Sequence, residues 1–222
     1  MMKPKLSAPF LAVALLLGGN AQADFIDTFS VIQGPLFAFN PSNNPLTDTQ
    51  NAVAGLGLPN ANRTLSADVL NSPVTGAINT SISGGNFNVA IGTTTDSTSF
   101  AKLEYTFPSF NLATVGTAFA LHVLNADDDF RVAWYLNNVL TVTTDWTVGS
   151  NFDVIESFSQ FNPAALAAAT QLTLEISAPD RTPGNSPSIS FSSLETIPEP
   201  GTLSLMALGL AGFGWSRRKS TN

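Results

Sequence analysis

The chain of 222 residues has no cysteine and a single histidine. Without thiols it can build neither a disulfide framework nor a thiolate nucleophile, so its stability must come from a packed core. One histidine, His122, leaves too few ligands for a zinc site, and no Gly-x-Ser-x-Gly stretch offers it a nucleophilic serine. Charge is scarce as well, at 11% of residues, and cations are scarcest. Of nine basic residues, Lys3, Lys5, Arg217, Arg218 and Lys219 lie at the ends, leaving Arg63, Lys102, Arg131 and Arg181 between residues 24 and 200 against all 16 acidic ones. Four against sixteen is a formal charge of −12, which disfavours nucleic acid or an anionic membrane as the partner of that segment. A neutral glycan, a cation or a second copy of the chain remains open. Sixteen Phe and three Trp supply more apolar surface than a disordered chain carries.

Both ends read as addresses. Lys3 and Lys5 precede an apolar stretch at 11–17, and Ala21-Gln22-Ala23 stands before Asp24, the order of parts in a secretory signal peptide cleaved after Ala23. At the other end Pro198-Glu199-Pro200 is followed by an apolar run at 201–215 and by Arg217-Arg218-Lys219. Fifteen helical residues reach about 22 Å, short of the roughly 30 Å of a hydrocarbon core. The three cations resist translocation and hold the last residues on the cytoplasmic side. Leu203, Leu205, Met206, Leu208, Leu210 and Phe213 leave no polar face for a helix at the surface of a domain. The two prolines fix φ and remove backbone donors, keeping the segment before the run extended and accessible. The expected organisation is a signal peptide at 1–23, a domain at 24–196 and a C-terminal signal at 197–222.

Pro198, Glu199 and Pro200, the apolar segment and the Arg217, Arg218, Lys219 cluster resemble the PEP-CTERM sorting signal of Gram-negative bacteria. The resemblance implies an exported substrate of an exosortase, a membrane transpeptidase, that recognises the Pro-Glu-Pro triplet. It further implies passage through signal peptidase, a transient inner-membrane tether through a C-terminal hydrophobic helix, and delivery to the cell surface or extracellular matrix, commonly alongside exopolysaccharide. The body, through Asp27-Thr28-Phe29-Ser30, Arg63-Thr64-Leu65-Ser66 and the strand before the signal, is similar to a recurring cargo type of this family, in outline like carbohydrate-binding jelly rolls.

Between the ends the apolar pattern has period two. Phe87, Val89 and Ile91; Leu103, Tyr105 and Phe107; Phe119, Leu121 and Val123; and Leu172, Leu174 and Ile176 each mark the inner face of a strand. Gly84-Gly85-Asn86 predicts one hairpin. A second turns at Asn137-Asn138, where a three-residue loop ending at Val139 would keep Leu140 and Val142 on the face of Trp134. Asn162-Pro163 opens the one helix, over 164–169, and 189–195 is the last strand. Residues 40–59 and 178–188 read as long loops. No internal repeat marks a propeller or β-helix. The expected fold is all-β, a two-sheet antiparallel sandwich of jelly-roll kind.

The densest polar feature is Asp127-Asp128-Asp129, taken as a turn between two strands. Oxygen-rich turns hold Ca²⁺, with Asn125 nearby, but side chains at a turn diverge and no EF-hand spacing is present, so a solvated acidic turn is the plainer reading. No other cofactor is expected. Glu104, Glu156 and Glu175 are the carboxylates a glycosidase would need to bring together. Tyr135 and Trp146, on or beside the second hairpin, are the rings that would stack on a sugar, whereas Trp134 reads as core. The expected function is non-catalytic: an exported surface or matrix protein in adhesion or contact with polysaccharide. A self-associating structural protein is the alternative, and a secreted hydrolase a distant third.

Overall fold

The computed structural model describes residues 24–39, 45–54, 56–71, 77–92, 98–178 and 187–198. Residues Asp24–Ile197 form one compact unit. Twelve strands lie among the described residues: β1 Asp24–Asp27, β2 Gln33–Phe39, β3 Leu46–Gln50, β4 Asn62–Asn71, β5 Ala77–Ser83, β6 Asn86–Gly92, β7 Thr98–Phe110, β8 Ala118–Leu136, β9 Val139–Thr143, β10 Thr147–Ser157, β11 Ala169–Ser177 and β12 Ser188–Ile197. All pairings are antiparallel and link the strands into one network, β2-β5-β6-β12-β8-β11-β7-β4-β3, with β1 on β12 and both β9 and β10 on β8. The molecule is all-β, as the period-two pattern requires.

One strand makes the network continuous. Residues 118–126 of β8 pair with β12 and β10, whereas residues 131–136 pair with β11 and β9. Phe119 and Trp134 nevertheless stack at 5.5 Å between ring centroids. Fifteen residues of straight strand would separate them by roughly 50 Å, so β8 doubles over between its two legs and the legs face each other. Asp127, Asp128 and Asp129 sit at that corner, inside the strand and not in a turn between two strands as the sequence predicts. The far ends of the network also meet. Gln33 Nε2 donates to the Asp48 carbonyl at 2.6 Å, and the Gly34 amide donates to Asp48 Oδ2 at 3.0 Å, tying β2 to β3.

The core lies between the legs. Leu65, Val69, Phe87, Val89, Ile91, Leu103, Leu121, Val123, Leu172, Leu174, Ile176 and Leu194 are all buried, so each predicted inner face is the inner face. Phe29, Phe87, Phe191 and Phe130 form a chain of ring contacts at one side, and Phe119 gathers Trp134, Phe158 and Phe161 at the other. Each such pair adds about 0.5–1.5 kcal/mol beyond area burial. Arg63 is wholly buried too. Its Nη1 lies 2.7 Å from Asp27 Oδ2, its Nε donates to Gln33 Oε1 at 2.8 Å, and the Tyr105 hydroxyl donates to the same Asp27 oxygen at 2.8 Å. Burial and the Asp27 charge push the Tyr105 phenol well above its ordinary range. The two short motifs around Asp27 and Arg63 are the two halves of this network.

Several expectations need correction. The loop at 40–59 contains a strand, β3, whose Leu46-Thr47-Asp48-Thr49-Gln50 pairs with 63–67 of β4; residues 40–44 and 55 lie outside the described part. The Asn hairpin has a two-residue loop. Asn137 and Asn138 both take positive φ, 51° and 64°, and Leu136 pairs directly with Val139. A register shift then pairs Tyr135 with Leu140 but Trp134 with Val142, so a bulge at Thr141 returns Val142 to the core side and leaves Leu140 exposed. The first hairpin closes on Gly84 and Gly85, at φ 60° and 77°, as its glycines require. The helix is a short one of little more than a turn, Pro163–Ala167, with the Asn162 side chain accepting from the Ala164 amide at 2.9 Å. The expected signal peptide at 1–23, most of the expected 178–188 loop and the C-terminal apolar segment lie outside the described residues.

Candidate functional site

Alternate residues of the leaf made by β9, β8, β11, β7, β4 and β3 point away from the core, and register arranges them in rows. One row runs Leu140, Tyr135, Thr173, Glu104, Thr64, Thr49; the next runs Thr143, Ala133, Glu175, Lys102, Ser66, Thr47; the third runs Arg131, Ser177, Phe100, Asp68. Tyr135 and Arg131 are four residues apart on one strand face, about 13 Å.

The centre of this face is Glu175. It stands directly opposite Lys102, diagonal to Tyr135, and within the field of Arg131. Burial pushes its carboxyl up, and Lys102, Tyr135 and Arg131 pull against that rise. The Tyr135 phenol is also raised, first by burial and then by the Glu175 charge. Arg131 Nε donates to Ser177 Oγ at 3.2 Å, and its guanidinium carbon lies 4.7 Å from the centre of the Trp146 ring, a cation–π contact. Trp146, 44% exposed, therefore borders the same face as Tyr135 through Arg131. The two aromatic candidates read from the sequence are linked through charged groups on one face, Tyr135 beside Glu175 and Trp146 under Arg131. Sequence reasoning missed Lys102, Arg131 and Glu175 as members of the group. The signal was available, since Lys102 and Arg131 are two of only four cations between residues 24 and 200 and both sit on the outward phase of their strands.

The acidic corner is used differently. Asp127 Oδ1 accepts from the Ser188 amide at 2.6 Å, and Asp128 Oδ1 accepts from the Asp129 amide at 2.8 Å. Among the described residues no three His, Cys, Asp or Glu side chains are grouped so as to hold a metal ion. Of the catalytic candidates, Glu104 and Glu175 are diagonal neighbours on β7 and β11, whereas Glu156 belongs to β10, opposite Phe119 on the other leaf. Glu156 is buried, which raises its carboxyl, and it accepts from Gln160 Nε2 at 3.2 Å. His122 Nδ1 lies 2.6 Å from Asp153 Oδ1 across β8 and β10, partly exposed.

The sorting triplet begins one residue after β12: Pro198 is described, and Glu199, Pro200, Arg217, Arg218 and Lys219 are not. Among the described residues no helix is long and apolar enough to cross a membrane. The chain is similar in outline to the family 11 carbohydrate-binding module of a cellulosomal cellulase of Clostridium thermocellum, with 10% identity over 80% of this chain and 96% of that one and a TM-score of 0.37. It is likewise similar to the carbohydrate-binding module CBM51 from Clostridium perfringens, solved with methyl-galactose, with 11% identity over 79% of this chain and all of that one and a TM-score of 0.33. Likeness at that level assigns no residue and no ligand. No curated protein sequence matches the chain. Residues 196–219, however, match the model of the PEP-CTERM protein-sorting motif, so the chain carries that motif directly behind an all-β domain.

Proposed function

We propose that this protein is a non-catalytic component of the cell surface or extracellular matrix, a jelly-roll-like sandwich that contacts exopolysaccharide through the outer face centred on Glu175. The observation that carries the reading is one outer face on which Tyr135, Lys102 and Arg131 neighbour the Glu175 carboxylate and Arg131 in turn covers the partly exposed ring of Trp146. Rings stack on the apolar face of a sugar, while a carboxylate flanked by cations presents acceptors and donors to neighbouring hydroxyls. The formal charge of −12 between residues 24 and 200 opposes an acidic polymer, so the substrate class is a neutral polysaccharide. Retention of the full chain on immobilised neutral polysaccharides tests this. Saturable binding should weaken at least roughly fivefold in Tyr135→Ala, Trp146→Ala and Glu175→Gln, since loss of one stacking ring or charged hydrogen bond costs over about 1 kcal/mol. Retention unchanged in all three, or on no neutral polymer, would refute it.

Self-association is a second reading with its own observation. β2 ends the strand order, bears no charged residue, and turns Phe37 and Phe39 outward at 49% and 66% exposure. Uncharged edge strands template pairing with another chain. Concentration-dependent oligomers abolished by Phe37→Lys, without retention on polysaccharide, would favour it.

A further inference from the structure

The strand that carries the sorting signal leaves the domain through a braced exit. The Ile197 carbonyl accepts from the Thr117 amide at 2.7 Å and from its hydroxyl at 3.3 Å, and the Thr196 hydroxyl lies 3.2 Å from the Val115 carbonyl. Gly116 packs so closely beneath that a Cβ there would stand 2.7 Å from the Ile197 oxygen. The chain is therefore fixed up to the last residue before the motif. Only Pro198, Glu199 and Pro200 separate Ile197 from the apolar run at 201–215, and three extended residues span at most about 10 Å. The polar layer outside a hydrocarbon core is about 5–7 Å deep on each side. A folded domain on so short a tether rests against the headgroups. Its first strand leaves from the same place, since Asp24 pairs with Thr196.

The composition of this end fits the position. It is made by residues 24–26, 51–54, 56–61, 110–117, 137–140 and 157–170. Gly57 N bonds the Ile26 carbonyl at 3.1 Å, Phe158 N bonds the Thr117 carbonyl at 2.8 Å, and Asn137 Oδ1 accepts from the Thr170 amide at 2.8 Å. Asp24 is the only charged residue in those segments, with Glu199 following in the tether, although 16 acidic residues lie between 24 and 200. Phe25, Val139 and Leu140 are exposed there at 47%, 65% and 53%. The acidic corner lies at the opposite end of β12, where Asp127 binds the Ser188 amide, about 30 Å away along ten residues of strand. Repulsion from anionic headgroups decays within a Debye length of about 8–10 Å, so a base with so few carboxylates escapes most of the penalty that the net charge would impose.

We infer that the Asp24–Ile197 end is a lipid-facing surface: while the C-terminal segment tethers the protein, this end seats on the headgroups, with the acidic corner turned away from the bilayer. The inference does not depend on the polysaccharide reading. A chain without cysteine accepts single labelling sites cleanly. Thr114→Cys and Val139→Cys at this end, and Asn125→Cys and Ser150→Cys towards the corner, are each labelled with a fluorophore in the full uncleaved chain. The chain is reconstituted in phosphatidylethanolamine–phosphatidylglycerol vesicles carrying a headgroup nitroxide lipid. Labels at 114 and 139 should be quenched several-fold more than those at 125 and 150, and Val139→Glu with Leu140→Glu, at unchanged melting temperature, should reduce quenching at 114. Equal quenching at the four positions, or stronger quenching at 125 and 150, overturns the inference. So does weak quenching at 114 and 139 combined with a photocrosslink from 139 to the sorting enzyme in cells, which would assign the surface to a protein.

Discussion

Arg63 shows how one side chain can join distant parts of this fold. It reaches Asp27, Gln33 and the carbonyl of Val31 at once, and Tyr105 completes the shell around Asp27. A buried pair whose carboxylate oxygens are both hydrogen-bonded is expensive to break, because the remaining charge has no water to turn to. Arg63→Met should therefore cost about 3–5 kcal/mol in urea denaturation, and adding Asp27→Asn should recover part of that loss. Tyr105→Phe removes one charged hydrogen bond and should cost roughly 1.5–3 kcal/mol. Glu156 works in the opposite sense. Burial raises its folded carboxyl above the ordinary 4.5, so on raising the pH the unfolded chain gives up the proton first. Stability attributable to this group is then lost as pH climbs from about 4.5 through the raised value, and stays lost above it. Glu156→Gln keeps an acceptor for Gln160 and should raise the melting temperature at about pH 7, with the gain over the parent closing below about pH 4. A gain that persists in acid would mean that ionisation of Glu156 is not its source.

The Asn137-Asn138 hairpin is held by its first residue. Asn137 Oδ1 accepts from the Thr170 amide at 2.8 Å, the Thr170 hydroxyl at 3.2 Å and the Gln171 amide at 3.3 Å, so the turn is clipped to β11 as well as closed on itself. Asn137→Ala loses those acceptors and strains a φ of 51°, and should cost about 1–3 kcal/mol, read from thermal or urea unfolding. Asn138→Gly, at φ 64°, relieves a left-handed residue and should leave stability unchanged or raise it by a few tenths of a kcal/mol. This hairpin also marks where sequence reading stops. The alternation around Trp134 required Val142 on its side, and the structure grants that through a bulge at Thr141 that no residue type there announces. Inner faces such as Phe87-Val89-Ile91 and Leu172-Leu174-Ile176 were legible because each strand places its large apolar side chains on one side only. β3 was not, because Leu46 and the threonines of an edge strand carry no core pattern. Of the candidate site, Tyr135 and Trp146 were visible as rings next to a hairpin. Their assembly with Glu175 and Lys102 depends on register across β8, β11 and β7, which single segments do not encode.

β8 also decides how the domain comes apart. Its two legs supply the central pairings of both leaves, with β12 and β10 on one and β11 and β9 on the other, and Phe119 on the first leg stacks on Trp134 of the second. Neither leaf can lose its pairing without exposing the core of the other, and no disulfide holds either in place. The expected behaviour is one cooperative transition, not two. Leu194→Ala on β12 and Leu103→Ala on β7 remove buried side chains from opposite leaves, and each should cost about 2–5 kcal/mol. For a domain of this size that corresponds to a fall of roughly 2–4 °C in melting temperature per kcal/mol. The test is coincidence. Far-ultraviolet dichroism follows all the strands, whereas tryptophan fluorescence of a Trp146→Phe, Trp215→Phe background reports Trp134 at the junction of the legs, and the two signals should give the same midpoint in both variants. A leaf that melted alone in Leu103→Ala, with the signals separating while Leu194→Ala kept them together, would mean that the corner at Asp127 to Asp129 uncouples the two legs and that the shared strand does not transmit the loss.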